Sequence, residues 1–437
     1  MPALLGALLL CGAVLGGQAT LTLIALIVEL VFIAFFLRHL GFAVAAMKAA
    51  DRDVTTPVVE SAYRPSVTIM VSCKNEEAVI NGLIDSLVDL DYPAHLLQLI
   101  VVDDGSSDAT PELLDTRAQV HPQLLALHRP PNAGGGKSGG LNVALEHASG
   151  EIAIVFDGDH QPRPDVVRRL VRHFEDPNVA AAQGRCEIRN ANDSVLTRLV
   201  SLDYRAGYLV NEYGRQSLFC LPACGGANCA TRVSALREVG GFNPDTVTED
   251  TDLTMRLVLS GHRVRYDVTA VDTEEGVISL RRFWRQRYRW ARGHQQVWRD
   301  YRAAVLRSPH LGVPEKIETL MFMLVFHLPA IAAVGLGLLT LSVFGMYEPT
   351  TVVDTFVLWT LMFLGPLLEL GGGLLIARVD RRNAFVLVFF LPIFFVSIAL
   401  CTKAWIDGVL GRPYTWVKTR RAHDREPVRS ATLGTAA

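Results

Sequence analysis

The sequence predicts an α/β domain that is flanked by transmembrane and interfacial helices. Three observations support this fold class: apolar residues are concentrated at the two ends of the chain, the middle has the mixed composition of a water-exposed domain, and the middle repeats a strand-then-helix pattern. A net charge of -2 over 437 residues lacks the basic excess that is typical of proteins that bind nucleic acid. The chain is therefore expected to be an integral membrane protein with one large aqueous domain.

Residues 1–49 are predicted to form an N-terminal membrane segment with one or two helices. The run 21–37 is long enough to cross a bilayer core of ~30 Å, and Glu29 is its only charge. The apolar stretch 3–17 is shorter and has no basic leader, so it could be a second span, a re-entrant segment or a signal sequence. We favour an uncleaved segment.

Residues 317–402 are predicted to hold about three C-terminal transmembrane helices, in the apolar runs 317–344, 356–377 and 384–401. Lys and Arg residues precede the middle domain, whereas the loop 346–354 has neither. The positive-inside rule therefore predicts a multi-pass protein of the cell membrane with a cytoplasmic middle domain. Three crossings would place the basic polar tail, residues 403–437, outside, so either one run does not cross or the charge rule fails here.

Residues 50–280 are predicted to form the α/β domain. Four apolar stretches, each followed by a segment with helical spacing, predict four strands at 66–73, 97–103, 124–128 and 151–157. Such near-continuous apolar strands indicate a parallel sheet that is covered on both faces. Ligands of parallel sheets bind at the carboxyl ends of the strands, so the functional residues are expected there.

Carboxylates directly follow two of the predicted strands. Asp103 and Asp104 come at the end of the second strand, and Asp157 and Asp159 at the end of the fourth. Turns and helix caps explain some acidic residues at such positions, and Asp108 is best explained as a cap. Two carboxylates at i and i+2 after a buried strand are costly unless a cation compensates them. They therefore indicate a divalent cation that is held by hard oxygens and a diphosphate.

A glycine-rich loop with a single lysine, Lys137, lies between the two acidic strand ends. Its spacing fails the P-loop pattern, because Pro131 stands where that pattern needs glycine. Beside two acidic strand ends, the loop is a plausible clamp on a nucleotide diphosphate. Farther along, Glu249 and Asp250 stand at the start of a predicted helix. Taken alone, these acidic residues are explained equally well by helix capping and by a functional role, and the other motifs favour the functional role.

Residues 281–316 are predicted to form interfacial amphipathic helices. Gln286, Arg289 and Trp290 stand at i, i+3 and i+4, so they share one helix face. Another face carries Arg282, Arg285 and Arg292, which are expected to contact lipid headgroups. An interfacial belt explains the enrichment in Arg and Trp, but it does not explain why Gln286, Arg289 and Trp290 are aligned.

Four motifs in order, D-D-G, D-G-D, T-E-D and Q-R-Y-R-W, resemble the signature of the membrane-integrated processive family-2 glycosyltransferases. This family includes cellulose, chitin, hyaluronan and poly-N-acetylglucosamine synthases. The resemblance extends from about residue 67 to residue 302 and includes the membrane layout. It implies a cytoplasmic GT-A domain, which is a Rossmann-like α/β fold, with a donor site and an acceptor site.

On the donor side, the resemblance implies that Asp103, Asp104 and Lys137 bind the uridine nucleotide. Asp157 and Asp159 would bind the UDP-sugar through Mg²⁺ or Mn²⁺, with Asp159 as the direct metal ligand.

On the acceptor side, the resemblance implies that Asp250, beside Glu249 in the T-E-D motif, is the catalytic base that takes the proton of the acceptor hydroxyl. Arg289 would bind the pyrophosphate, and Gln286 and Trp290 would form the floor of the acceptor site. One base without an evident second nucleophile implies direct displacement with inversion.

The expected function is therefore an inverting glycosyltransferase that polymerises a β-linked polysaccharide from UDP-glucose or UDP-N-acetylglucosamine and moves the chain across the membrane. Its expected partners are the growing polysaccharide, the lipid bilayer and accessory export subunits. An alternative is the transfer of a single sugar to a membrane lipid, because lipid glucosyltransferases share similar motifs. A non-enzymatic channel or transporter would leave the set of carboxylates unexplained.

Overall fold

The computed structural model describes residues 16–55, 61–348, 352–377 and 385–413. Most of the segment 3–17 and most of the tail 403–437 lie outside these residues. Within them, a long helix, α1 (Gly17–Thr55), precedes the α/β domain, and further apolar helices follow it.

One eight-stranded sheet organises the α/β domain, in the order β3-β2-β1-β4-β7-β6-β8-β5. Its strands are β1 (Val67–Cys73), β2 (Leu97–Asp103), β3 (Leu124–His128), β4 (Ile152–Asp157), β5 (Gln161–Pro162), β6 (Val179–Ile188), β7 (Cys229–Arg232) and β8 (Arg263–Glu274). The four strands that the sequence predicts are β1 to β4, and they pair in parallel.

The other half of the sheet departs from the predicted parallel arrangement. The short strand β7 runs antiparallel to both β4 and β6, and β5 runs antiparallel to β8. Only the pairing of β6 with β8 in this half is parallel. The prediction of a wholly parallel sheet is therefore wrong here, because β7 and β5 lie outside the strand-then-helix repeat on which that prediction rests.

Helices cover both faces of the sheet because successive strand residues point to opposite sides. On β1, Ile69 belongs to the buried cluster that includes Leu83, whereas Met70 belongs to the cluster on the other face with Leu141. The helices of the domain are α2 (Ile80–Val88), α3 (Thr110–Val120), α4 (Gly136–His147), α5 (Val166–Val171), α6 (Val195–Ala206), α7 (Tyr213–Phe219), α8 (Val233–Glu238) and α9 (Glu249–Leu259). Short 3-10 turns occupy Ala94–Leu96 and Arg172–Glu175.

A π-helix, Gly207–Glu212, joins α6 to α7 and contacts α1. Gly214 of α7 approaches Phe42 of α1 so closely that a Cβ atom would lie 2.7 Å from the Phe42 Cβ. The C-terminal part of α1 therefore packs directly on the α/β domain, and its N-terminal part extends away from it.

The C-terminal helices are α10 (Leu280–Arg307), α11 (Val313–Leu324), α12 (Leu328–Val343), α13 (Val352–Ile376) and α14 (Phe390–Val409), with 3-10 turns at Val325–His327 and Phe385–Phe389. Within the described ranges, three helical segments are long and apolar enough to cross a membrane: Gly17–Ala50, Val313–Val343 and Phe385–Val409. The C-terminal part of α13, Phe363–Ile376, is apolar but shorter than these three segments. Helix α1 exposes Leu26 by 54% and Leu30 by 68%, as a surface against lipid would.

The basic helix α10 forms as predicted, but one of its arginines has a different role from the one expected. Arg292 donates to the carbonyl oxygens of Ala404, at 3.3 Å, and Arg412, at 2.7 Å, and so satisfies acceptors at the C-terminal end of α14. Its expected contact with lipid headgroups is wrong, because the last turn of α14 occupies its guanidinium. Arg285, in contrast, is exposed.

A buried ionic network holds α1 against the domain. Arg38 of α1 donates two hydrogen bonds to Glu318 of α11, at 2.9 and 2.8 Å, and Arg215 of α7 donates a third at 3.0 Å. Arg215 and Glu318 are each only 2% exposed. Two cations thus share the Glu318 carboxylate, and Arg215 also pairs with Glu212 at 3.5 Å, so the network fixes three separate elements relative to each other.

Candidate active site

A cavity of about 570 Å³ extends from the carboxyl edge of the sheet to the membrane helices. Seven of the ten predicted site residues line it: Lys137, Asp157, Glu249, Asp250, Gln286, Arg289 and Trp290. Its membrane end is lined by apolar side chains, which include Phe32, Phe35, Phe36, Phe326, Leu328, Ala332, Phe390 and Phe394. One space therefore connects the polar motif residues with the apolar helices.

Lys137 connects the acidic strand end to the T-E-D helix. Its Nζ atom lies 2.7 Å from Asp157 Oδ1 and 3.0 Å from Glu249 Oε1, and it donates to the carbonyl of Gly226 at 2.8 Å. Burial lowers the pKa of Lys137, but the charges and hydrogen bonds of Asp157 and Glu249 outweigh burial and raise it. The ammonium group therefore stays charged and neutralises two carboxylates at the cavity wall.

Asp250 lies in the first turn of α9, and its carboxylate reaches the cavity. The backbone N–H of Thr251 donates to Asp250 Oδ1 at 2.7 Å and orients the carboxylate. Burial and the charge of Glu249 raise the pKa of Asp250 against the opposing effects of Lys137 and Arg289, and the net pKa is about 6. A carboxylate with this pKa is ionised at neutral pH but basic enough to accept a proton, as a general base must.

The loop before β7 approaches Asp250 closely. Gly226 has φ +83°, and a Cβ atom there would lie 3.1 Å from Asp250 Oδ2. Glycine is therefore required at this position both for the backbone conformation and for the room beside the carboxylate. The sequence shows the Gly225-Gly226 pair but gives no sign of its proximity to the T-E-D motif.

Helix α10 brings its predicted functional face to the same carboxylates. It packs on the T-E-D segment at Gly293, where a Cβ atom would lie 2.3 Å from Thr248 Cγ2. One turn earlier, Trp290 lies with its ring under the guanidinium of Arg287, 4.2 Å from the ring centroid. Gln286, Arg289 and Trp290 all line the cavity, as their shared face predicts. The sequence-based choice of residues missed Arg287, although it stands three positions before Trp290 on that face.

Part of the chain matches the model of a known protein family. The model described as glycosyl transferase family group 2 matches residues 152–398, which is more than half of the chain. The chain belongs to this family. The match confirms the predicted family-2 glycosyltransferase.

Two relatives of this transferase have named activities. Beta-monoglucosyldiacylglycerol synthase of Synechocystis sp. is 38% identical over 298 residues, which cover 67% of this chain and 61% of that protein. Glucomannan 4-beta-mannosyltransferase 7 of Arabidopsis thaliana is 27% identical over 376 residues, which cover 83% of this chain and 66% of that protein. The chain spans about three fifths of the length of the glucosyldiacylglycerol synthases it matches.

A solved structure confirms the predicted GT-A fold. The mannosyltransferase PcManGT from Pyrobaculum calidifontis, in complex with GDP-Man and Mn²⁺, aligns with a TM-score of 0.61 at 22% identity. The alignment covers 88% of this chain and 100% of that one. At this identity the similarity establishes the fold of the transferase and nothing about its substrates.

Three predicted site residues of the transferase lie outside the cavity lining. Asp103 accepts a hydrogen bond from the backbone N–H of Ser106 at 3.0 Å, and Asp104 forms an ion pair with Arg129. Burial raises the pKa of Asp104, and Arg129 only partly offsets this effect. Asp159 is 6% exposed and lies beside the start of the segment after β8. Their roles as nucleotide and metal ligands stay predictions.

His160 is a cavity residue that the sequence-based choice of residues missed. It hydrogen-bonds through Nδ1 to Asp272, and its Nε2 lies 3.0 Å from Glu274 Oε2. Burial lowers the pKa of His160, but Asp272 and Glu274 outweigh burial and raise it well above the ordinary value. Cys186 lies close enough to complete a metal-ligating group, yet an imidazolium that donates from both nitrogens has no lone pair for a metal. We therefore interpret the cluster as an ion-paired support of the D-G-D loop.

Proposed function

We propose that the protein transfers one hexose from a nucleotide sugar to the hydroxyl group of a membrane lipid, with inversion at the anomeric carbon. The cavity carries this proposal, because a single space has a basic carboxylate at one end and apolar membrane side chains at the other. A glycerolipid has the same distribution of polarity, with one hydroxyl next to two apolar chains. The monoglucosyldiacylglycerol synthases support the proposal by name.

The order of side chains along α1 supports a lipid more than a growing polysaccharide. Phe42 packs on the α/β domain, Arg38 and His39 stand one turn farther out, and Phe32 and Phe35 lie beyond them. The cavity lining therefore changes from polar to aromatic along the helix. Polar sugars that entered the aromatic end would lose hydrogen bonds to water without gaining equivalent ones, whereas acyl chains would gain apolar contacts. The polymer-exporting function, with its export subunits, is thus less well supported than single transfer.

The residues of the cavity can perform the reaction in one displacement. Asp250 takes the proton of the lipid hydroxyl as that oxygen attacks the anomeric carbon of the sugar. Lys137 and Arg289 offset the negative charge that develops on the departing diphosphate. Gln286 and Trp290 hold the acceptor against Asp250.

A divalent cation would fit the acidic strand end. Asp157 presents a carboxylate at the cavity wall, and Asp159 offers a second one two residues later, which is a hard-oxygen donor set suited to Mg²⁺ or Mn²⁺. The solved mannosyltransferase contains Mn²⁺, which supports this proposal. Such a cation supplies positive charge for the leaving diphosphate.

We further propose a multi-pass protein of the cell membrane with the transferase domain in the cytoplasm. Three apolar helices of sufficient length support membrane crossing. The basic residues Arg38, Lys48 and Arg52 near the domain end of α1 support the cytoplasmic side.

Product analysis tests the proposed function. The purified protein in lipid nanodiscs would receive diacylglycerol, Mn²⁺ and UDP-glucose, UDP-N-acetylglucosamine or GDP-mannose in separate reactions. We expect a glycolipid with a single sugar from one donor, detected by mass spectrometry, and none from Asp250→Asn. Asp245→Asn is the matched control, because Asp245 is exposed on the loop before the same helix and should leave product formation unchanged. A glycosidase-sensitive polymer as the product would overturn the proposal.

A further inference from the structure

A histidine with no assigned role, His294, lies between the catalytic carboxylate and the apolar end of the cavity. It stands one helical turn after Trp290 on α10 and lines the cavity. On one side its Nε2 atom lies 3.5 Å from Thr251 Oγ1, which lies 3.3 Å from Asp250 Oδ1. On the other side its ring centroid lies 4.6 Å from that of Phe326 and 5.6 Å from that of Phe322.

The hydrogen bonds of His294 indicate which ring nitrogen carries the proton. Its Nδ1 atom is inaccessible to water and has no hydrogen-bond partner within the described chain. An unpartnered lone pair is less costly there than an unpartnered N–H, so the proton belongs on Nε2. The 3.5 Å contact from Nε2 to Thr251 is longer than a normal hydrogen bond, so this N–H can donate to a better-placed acceptor.

The imidazole ring is uncharged at neutral pH. Burial and, to a smaller extent, the nearby His327 and Arg215 together lower the pKa of His294 to about 3. An uncharged imidazole brings no positive charge that would attract a phosphate, but its N–H can donate to an uncharged oxygen such as an ester carbonyl. In 1,2-diacylglycerol, an ester group is attached to the glycerol carbon next to the one that bears the free hydroxyl.

We propose that His294 donates a hydrogen bond from Nε2 to the ester carbonyl beside the reacting hydroxyl of the lipid acceptor. A single hydroxyl group, that of Thr251, separates this nitrogen from Asp250, which matches the short separation between neighbouring oxygens of a glycerol backbone. His294 is thereby a specificity-determining residue that positions the hydroxyl against Asp250. The inference rests on the proposed function and adds the ester group as the feature recognised.

Acceptors with and without the carbonyl test this inference. The kcat/KM of the full-length protein would be measured for 1,2-dioleoylglycerol and for its dialkyl ether analogue, which has no ester carbonyl. We expect the wild type to have a kcat/KM roughly fivefold higher for the ester than for the ether, because the ester can accept one more uncharged hydrogen bond. His294→Leu should lower kcat/KM for the ester to the level of the ether and leave the ether value unchanged. His294→Gln, whose amide N–H can replace Nε2–H, should restore part of the preference.

His327→Leu is the matched control. His327 is another histidine whose Nδ1 atom has no hydrogen-bond partner among the described residues, but it packs near Trp298 and does not line the cavity. Its variant should keep the preference for the ester.

Three results would overturn the inference: a wild type with no ester preference, a His294→Leu variant that keeps the preference, or one that loses activity equally on both acceptors. Failure of the proposed function looks different, because then the wild type glycosylates neither lipid.

Discussion

The rate of sugar transfer should fall about tenfold between pH 7 and pH 5, because the pKa of Asp250 is raised to about 6. A general base acts only in its deprotonated form. With this pKa, the ionised fraction of Asp250 falls from about nine tenths at pH 7 to about one tenth at pH 5. An aspartate with an ordinary pKa of about 3.9 would remain about nine tenths ionised at pH 5 and would show almost no loss.

Removal of the neighbouring charge should move this acidic limb. Burial and Glu249 both raise the pKa of Asp250, and Glu249 also pairs with Lys137. In Glu249→Gln, one negative charge is lost and the ammonium of Lys137 is left to attract the Asp250 carboxylate. Both changes lower the pKa of Asp250, so the variant should retain more of its pH 7 rate at pH 5 than the wild type does.

The assay is kcat/KM for the lipid acceptor from pH 4.5 to 8.5 at saturating donor, since this quantity reports the pKa of the form that binds the acceptor. Binding of the donor should be measured in parallel, so that loss of donor affinity is not mistaken for protonation of the base. A wild-type kcat/KM that stays nearly constant from pH 7 down to pH 5, or an acidic limb that moves to higher pH in Glu249→Gln, would refute the assignment of Asp250 as the base.

Three further predictions compare residues that differ in their surroundings. Asp250→Asn should raise the thermal midpoint. The raised pKa of Asp250 means that its ionised carboxylate lowers the free energy of unfolding by up to ~3 kcal/mol once the pH exceeds about 6. Asp252→Asn should instead lower the midpoint. Asp252 pairs with Arg256 and accepts from Tyr301, and thermal melts at pH 7.5 check both changes. Glu318→Gln should destabilise the protein by ~3–5 kcal/mol in denaturant titrations, because the buried Arg38 loses its paired carboxylate and Arg215 keeps only a longer ion pair, at 3.5 Å, with Glu212. Arg289→Ala should lower the transfer rate at least ~100-fold, whereas substitution of the exposed Arg285 by alanine should change the rate little. Equal effects of the two substitutions in a rate assay would mean that the two helix faces are wrongly assigned.

The sequence predicts the parts of the fold that depend on local pattern. Strands β1 to β4 are apolar runs, and their ends carry carboxylates, so both the parallel half of the sheet and its functional edge can be recognised. The helical spacing of Gln286, Arg289 and Trp290 likewise predicts a face that lines the cavity. These features need no knowledge of which distant segments pair.

The features that the sequence does not predict depend on contacts between distant residues. The bond from His160 to Asp272 joins residues 112 positions apart, and no local pattern marks it. The mixed half of the sheet depends on β7, a strand of four residues that is too short for a periodic signal. His294 does have a local signal, since it stands four residues after Trp290, but a single histidine on a helix is more often structural than functional.

Buried polar groups that stabilise the fold and polar groups that line the cavity differ in how completely they are paired. Glu318 and Asp252 are buried with several hydrogen-bond donors and lie outside the cavity lining, so they stabilise the fold. Asp250 has a raised pKa, and atoms of Gln286 and His294 lack hydrogen-bond partners within the described chain, yet all three line the cavity. Selection for stability alone would favour replacing such groups. Their presence around one space indicates that a bound donor and acceptor interact with Asp250, with Gln286 and with the Nε2–H of His294, which is the physical reason to expect binding energy and catalysis at this site.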